Sequence, residues 1–484
     1  MAGHTEQILT SRFGLEALRP LQAEIVERVL GGGHALVVMP TGSGKSLCFQ
    51  LPALVERAKR GGGTTLVLSP LIALMEDQVS ALRARGINAT YINSTLSKNE
   101  REKRQAMLAS GELELIYATP ERMDKPEFVQ AITACPGGVP LLAVDECHCV
   151  SKWGHDLRPA YRRVGAFRAV LGNPTTIALT ATATRAVRED VRAVLGFDES
   201  EMPLFSAPVE RPNLELNCTP VWDDDEKVRA IGELAGGMPG TGIVYFALIK
   251  DLERYVDRLR RELTDRRVSM YHGRLDPQRK KKVYDDFVRA EPGEGLVLCA
   301  TNAFGMGVDK PDIRFIAHAQ VPASVEAYHQ EVGRAGRDGD TARCELLYSQ
   351  DDLAIQQDFT RWQNPTPDLL VQVATAVERN HARKEFDADE LRVEVIGKGH
   401  AFGQGGQTVE YALITLAELG VVARANFQDQ PLMTYRFVRP LEDVEVDAEE
   451  MELKRQRDLH RLLDVVKLTQ SEDIKAYVNA YFEL

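Results

Sequence analysis

The stretch Met39-Pro-Thr-Gly-Ser-Gly-Lys45-Ser46 decides the fold, and it directly follows the apolar run Ala35–Met39. An apolar run, a glycine-rich turn and a Lys-Ser pair together read as a strand, a phosphate-cradling loop and a helix start. Glycines at 42 and 44 permit a tight turn that points successive backbone N–H groups at one anion, and the helix N-terminus adds further donors. Thr41, Gly42, Ser43 and Gly44 are therefore expected to wrap the phosphates of ATP. Lys45 is expected to reach the β- and γ-phosphates, and the Ser46 hydroxyl to bind Mg2+. The strict Walker A pattern has glycine where Met39 stands, so this loop is a variant.

A hundred residues downstream, Leu141–Asp145 reads as another buried strand, ending in Asp145-Glu146-Cys147-His148. Alone, an acidic pair at a strand end reads as a solvated loop. Coupled to the Lys45 loop it gains a role. Asp145 would hold Mg2+, while Glu146 would orient or deprotonate an attacking water.

Between and beyond these two strings the same grammar repeats. Candidate strands are Ala35–Met39, Thr65–Ser69, Leu113–Ala118, Leu141–Asp145 and Thr176–Thr180. A second series follows at Gly242–Phe246, Arg267–Tyr271, Gly295–Ala300, Ile313–Ala319 and Arg343–Tyr348. Short apolar runs separated by helical patterns are the mark of parallel sheets buried on both faces, so two α/β domains in tandem are expected. Prolines 203, 208 and 212 place the join near Met202–Pro212. After residue 350 the pattern changes. Thr366-Pro367 opens one helix toward Asn380, Asp387 and Glu390 have capping-box spacing for a second, and Thr408 starts a third that Gly420 ends. Val421–Ala425 and Met433–Val438 then form a hairpin around Asn426–Leu432. Three helices and a hairpin read as a winged helix, with a generic helical appendage as the competing interpretation.

With 484 residues, 44% hydrophobic and 27% charged, the chain is long enough for several folded domains and too apolar for disorder. No run approaches eighteen apolar residues and the N-terminus has no basic-then-apolar start, so neither a membrane span nor a signal peptide is expected. Seven scattered cysteines suit reduced thiols in an intracellular protein. Cys147 and Cys149 flank His148, but a metal site there would need a second ligand pair nearby.

Taken together, these strings resemble the superfamily-two helicases, and more narrowly the RecQ family of DNA helicases, from Phe13 to Tyr348. Further matches are Phe13-Gly followed by Leu18-Arg-Pro-Leu-Gln22, Ser69-Pro-Leu-Ile-Ala-Leu-Met-Glu-Asp-Gln78 and Leu179-Thr-Ala-Thr-Ala-Thr184. In the second half they are Ala300-Thr-Asn-Ala-Phe-Gly-Met-Gly-Val-Asp309 and Gln330-Glu-Val-Gly-Arg-Ala-Gly-Arg-Asp-Gly339. The resemblance implies two tandem RecA-like motor domains, at 1–205 and 206–350, followed by a winged-helix domain at 351–440 and an acidic helical tail at 441–484. It implies that Gln22 reads adenine with Arg19 stacked on it, and that Asp309 belongs to the ATP site. Arg337 would be the finger that neutralises transition-state charge from the opposite domain, with Arg334 and Gln330 beside it; such fingers are worth ~10³–10⁵ in rate in related chemistry.

Cys149-Val-Ser-Lys-Trp153-Gly-His155-Asp-Leu157-Arg158-Pro-Ala-Tyr161 resembles the family's aromatic-rich loop, which couples single-stranded DNA to hydrolysis. Trp153 offers a stacking face and Arg158 a cation, with His155 between them; out of context Trp153 would read as a core residue. Leu157 stands where the family usually has phenylalanine. Thr182, Thr301 and Arg274, the last within Tyr271-His-Gly-Arg-Leu275, are the other expected DNA-facing or coupling residues. The wing would carry Phe427 near its tip as a strand-separating wedge. Cys344 is the only cysteine beyond 299, so the family's four-cysteine zinc module is not expected and ATP with Mg2+ are the only cofactors. The implied activity is 3′-to-5′ translocation on single-stranded DNA and unwinding of 3′-tailed or forked duplexes in repair or recombination, by a monomer without membrane association. A DNA-stimulated translocase that does not separate strands, an RNA helicase and a nucleotide-gated binding module are the alternatives.

The net charge of −12, taken in bulk, opposes nucleic acid, but its distribution does not. Residues 1–200 carry +2, 201–350 carry −4 and 351–484 carry −10. Six carboxylates lie within Glu442–Glu450 alone, whereas Arg258–Lys282 holds ten basic and three acidic residues. That basic run reads equally as a solvated helix face. A near-neutral motor implies modest, salt-sensitive DNA affinity and makes the tail an unsuitable DNA clamp.

Overall fold

The computed structural model describes residues 2–40, 42–151, 159–207, 211–305, 310–381, 385–395, 406–425 and 433–482. The first sheet has seven strands: β1 (Ala35–Val38), β2 (Thr65–Leu68), β3 (Ala89–Ile92), β4 (Leu115–Ala118), β5 (Leu141–Val144), β6 (Thr175–Thr180) and β7 (Leu204–Ser206). They run parallel in the order β3-β4-β2-β5-β6-β1-β7. β1, β2, β4 and β5 are buried along their whole length, because helices cover both faces. Alternate side chains feed two separate cores. Leu36, Leu66 and Leu142 serve one; Val37, Val67 and Ala143 serve the other.

The second sheet repeats the plan with six parallel strands: β8 (Leu214–Pro220), β9 (Thr241–Tyr245), β10 (Val268–Tyr271), β11 (Val297–Ala300), β12 (Ile313–His318) and β13 (Ala342–Tyr348). Their order is β10-β11-β9-β12-β13-β8. The chain passes from one sheet to the other between Ser206 and Leu214. Every strand expected from an apolar run is present. The additions are β3, β7 and β8, each at or near a sheet edge. β8 reads Leu-Glu-Leu-Asn-Cys-Thr-Pro and is buried fully only at Leu214, so it offers no apolar run to detect.

The C-terminal module forms as its caps imply. Thr366 caps helix Pro367–Arg379 by accepting from the Leu369 N–H at 3.3 Å. Asp387 and Glu390 exchange reciprocal side-chain bonds of 3.0 and 3.2 Å ahead of helix Ala388–Val395. Helix Gly406–Glu418 buries Val409, Ala412, Leu413 and Leu416 on one face, and Gly420 turns the chain at φ +77°. β15 (Val422–Arg424) and β16 (Thr434–Phe437) pair antiparallel, joined by β14 (Phe386–Asp387) on the far side of β16. β14 is too short to leave a sequence signature. Three helices and this small antiparallel sheet make up the module; Asn426–Leu432, including Phe427, lies outside the described residues.

Helices Ala448–Thr469 and Ile474–Phe482 close the chain. Their apolar faces leave the acidic surface behind and enter a motor core. Val465, Leu468, Ile474, Val478 and Phe482 are buried with Tyr328, Val332 and Cys344 of the second sheet's layer. The last helix thereby packs against edge strand β8. Lys227 and Asp352 tie helix Asp224–Gly237 to helix Gln350–Gln363, with Nζ bonds of 2.9 and 2.7 Å to the two carboxylate oxygens, both side chains being buried. No helix among the described residues is long and apolar enough to cross a membrane.

Because Phe482 is fully buried in the second motor's core, Phe482→Ala should lower the unfolding free energy of that domain by about 3 kcal/mol or more. Urea unfolding followed by tryptophan fluorescence would measure it, and an unchanged midpoint would mean that the last helix is dispensable.

Candidate active site

Strand order brings the distant strings together. β5, β6 and β1 are neighbours, so the loops leaving them emerge side by side at the carboxyl edge of the sheet. After β1, Gly42 and Gly44 adopt φ of +80° and +85°, conformations that side chains disfavour. A Cβ on Gly44 would also come within 2.4 Å of the Gln22 Nε2. Lys45 Nζ donates to the Met39 carbonyl at 2.8 Å, folding the side chain over the loop. That bond uses backbone, and the Met39 side chain is buried in the core, which explains why a non-glycine is tolerated there. Thr41 lies outside the described residues.

Gln22 is buried at the start of helix Pro20–Leu30. Its Nε2 donates to the carbonyls of Ser43 and Gly44 at 3.1 and 3.3 Å, and its Oε1 accepts from the Arg19 N–H at 3.0 Å. Arg19 Nη1 also reaches the Ser43 carbonyl, at 3.2 Å. Both residues expected at the base are thus bonded to the phosphate loop itself. A change at either end of this link is felt at the other.

Ser46 and Asp145 are the candidate magnesium ligands, and each has a fixed partner. Gln78 Nε2 donates to Ser46 Oγ at 3.2 Å, and Ser69 Oγ donates to Asp145 Oδ2 at 3.4 Å. Tyr161 donates from its hydroxyl to the Asp145 carbonyl at 3.0 Å. Burial and then the adjacent Glu146 push the Asp145 pKa up to about 7, against the opposing pull of Lys45. A hydroxyl and a buried carboxylate are the hard oxygen donors that Mg2+ selects, so the residues present fit that ion. Burial lowers the Lys45 pKa; Glu146 and Asp145 oppose the shift and Arg337 adds to it.

Glu146 occupies the left-handed region at φ 48°, ψ 47°, one of two non-glycine residues among those described with positive φ. Such a conformation costs on the order of 1–3 kcal/mol and persists where the surroundings over-determine it. Here it turns the carboxylate off the strand end. His148 Nδ1 lies 3.2 Å from Glu146 Oε2 and 2.9 Å from Thr180 Oγ1, so one imidazole joins the acidic box to the end of β6. Burial pulls His148 toward neutrality, but Cys149 and Glu146 beside it hold its pKa well above the usual value. Thr180 in turn donates to the Thr182 carbonyl at 3.1 Å. Thr182 is itself buried, as is Thr301 at the end of β11, which places both behind the surface.

From the second domain, Arg337 crosses the cleft. Its Cδ lies 3.4 Å from where a Cβ on Gly42 would sit, and it is close enough to depress the Lys45 pKa. Arg334 stays inside its own domain, buried beside Tyr245 and Gly305. Gln330 faces a small cavity whose other walls include Pro40 and Ala181 of the first domain. Arg274 is exposed and close enough to Glu410 of helix Gly406–Glu418 for their charges to interact. Asp309, Trp153, His155, Leu157 and Arg158 lie outside the described residues. Among the described residues no three His, Cys, Asp or Glu side chains gather as a metal-ligand cluster. Ser69, Gln78 and His148 lie within the quoted motif strings, but those strings assign them no individual roles, because each acts on another side chain.

The chain matches the DEAD/DEAH box helicase model over residues 19–190 and the helicase conserved C-terminal domain model over 226–339. It is 41% identical over 360 residues to the ATP-dependent DNA helicase RecQ of Bacillus subtilis, covering 74% of this chain and 58% of that one. It is 35% identical over 413 residues to the same organism's probable ATP-dependent DNA helicase RecS, covering 84% and 80%. The match therefore spans less than two thirds of the first relative's length and most of the second's. In fold it is similar to Mycobacterium smegmatis helicase Lhr bound to ssDNA and AMP-PNP, with TM-score 0.56 at 20% identity over 90% of this chain and 60% of that one.

Glu146→Gln keeps the shape of the acidic box and removes its base. Steady-state ATP turnover should fall by at least about 100-fold while nucleotide affinity stays within a few-fold. Turnover near wild type would move the water-activating role to another residue.

Proposed function

The chain belongs to the RecQ family of DNA helicases, and from that premise we propose that it is an ATP-dependent helicase acting on DNA. It hydrolyses ATP to translocate 3′ to 5′ on single strands and separates 3′-tailed or forked duplexes, in repair or recombination. The observation that carries this reading is the approach of Arg337 to the phosphate loop from the opposite domain. A nucleotide-gated binding module needs no such group; a hydrolase does.

When bound, Mg2+ supplies charge neutralisation at the phosphates, with Ser46 and Asp145 the residues that would hold it. The loop amides and Lys45 bind the phosphates, and Gln22 with Arg19 ties the base end to that loop. Glu146 orients the water and takes its proton, and Arg337 stabilises the charge that develops. His148, Thr180 and the Thr182 loop carry the state of the acidic box toward the DNA-facing side. There Trp153, His155 and Arg158 engage the strand, base stacking being worth ~1–3 kcal/mol each. Leu157, in place of an aromatic, makes that coupling weaker. Motor domains at 1–205 and 206–350 grip the strand in alternation, and the winged module at 351–440 presents Phe427 to the fork.

Hydrolysis measured with and without single-stranded DNA should rise at least about tenfold with the strand. A 3′-tailed duplex should be unwound and a 5′-tailed one left intact. Stimulated hydrolysis without strand separation would make the protein a translocase, and stimulation by RNA alone would overturn the DNA assignment. Trp153→Ala should remove the stimulation and leave ATP binding in place; undiminished stimulation would exclude Trp153 from coupling.

A further inference from the structure

The segment between the two sheets ends Arg211-Pro212-Asn213, immediately before β8. β8 pairs in parallel with β13, and Ala342 N–H donates to the Asn213 carbonyl at 3.0 Å. This register sets the segment beside the loop that runs from helix Val325–Val332 to β13, the loop that carries Arg337. Arg211 Nη2 donates to the carbonyls of Ala335 at 3.0 Å and Gly336 at 2.6 Å, the two residues preceding Arg337. Asn213 Nδ2 donates to the carbonyls of Gly336 and Asp340, both at 2.8 Å, closing the loop on either side of Arg337. Gly336 is left-handed at φ +54°, and a Cβ there would lie 2.5 Å from Asn213 Nδ2. The loop is thus shaped around the amide. Arg211 also lines the inter-domain cavity opposite Pro40 and Ala181, so the same guanidinium stands at the cleft that Arg337 crosses.

We propose that Arg211 and Asn213 are positioning residues that hold the Arg337 loop at the distance from the phosphate loop that hydrolysis requires. The inference rests on the reading of Arg337 as the trans-acting arginine. Carbonyls 335, 336 and 340 would otherwise turn to water, and a loop rich in glycine would sample other shapes. Arg337 would then reach Gly42 only part of the time. A displacement of about 1 Å in a charge-stabilising group is enough to lose on the order of 100-fold in rate. The clamp belongs to the segment joining the motors, so a movement of one motor relative to the other is transmitted to the finger.

The test is a mutant cycle in the full chain, read as kcat and KM for ATP with saturating single-stranded DNA. Arg211→Ala and Asn213→Asp should each lower kcat on the order of 10- to 100-fold, with KM for ATP within about twofold. Arg211→Lys, which keeps one donor, should recover part of the loss. On an Arg337→Ala background, Arg211→Ala should cause no further loss, since it acts through that residue. Hydrogen exchange supplies a readout independent of turnover: the Gly336, Asp338 and Gly339 amides should exchange faster in Arg211→Ala, with β9 unchanged. Normal turnover in Arg211→Ala beside an impaired Arg337→Ala overturns the inference, as does a full additional loss in the double variant. If Arg337→Ala turns over normally, the finger reading itself falls. In that case unchanged loop exchange in Arg211→Ala also overturns the clamp.

Discussion

Two cations from different domains converge on one glycine turn, and the rest of the architecture exists to make that convergence conditional. Lys45 and Arg337 sit near each other in a cleft that strips them of water, where like charges repel more strongly than in solvent. Asp145 and Glu146 offset part of that repulsion from below. A polyphosphate between the two cations would offset far more. An anion held by both domains would therefore stabilise a closed cleft, and its hydrolysis and loss would remove the reason to stay closed. On the proposed function, that is the physical basis on which a cycle of nucleotide binding would become a cycle of domain movement.

Everything around the cleft serves its geometry. The strand order sets three loops from separated sequence positions side by side, and hydrogen bonds from Gln22, Ser69 and Gln78 fix the glycine turn, Asp145 and Ser46. The left-handed backbone at Glu146 keeps strain where the carboxylate must leave the strand direction. The final helices are part of the same machinery. They bury their apolar faces on the layer that carries helix Val325–Val332, so the helix that leads to the Arg337 loop is packed by the sheet and by the tail.

The central strands and the site were legible because buried parallel strands are uniform apolar runs and phosphate chemistry demands particular residues in a particular order. Gly42, Gly44, Lys45, Asp145 and Arg337 announce themselves this way. β3, β7 and β8 do not, since none offers a long continuous apolar run: β3 is only four residues, β7 only three, and β8 alternates apolar with polar residues. β14, two residues long, has no signature at all. The tail's fate was hidden for a related reason. Six carboxylates in Glu442–Glu450 dominate its composition, while the residues that dock it are spread from Val465 to Phe482. Partners such as Ser69, Gln78, His148 and Asn213 act on other protein atoms, and such roles are visible only once the chain is folded.

The most direct test of a cleft held shut by a shared anion is the inter-domain distance itself. Labels on exposed Lys98 and Asp257, one in each motor, would report it by spin-label or energy-transfer distance distributions in the full chain. The account predicts a broad distribution without nucleotide and a narrow, short one with Mg2+ and a non-hydrolysable ATP analogue, the narrowing being lost in Arg337→Ala. Identical distributions with and without the analogue would contradict it.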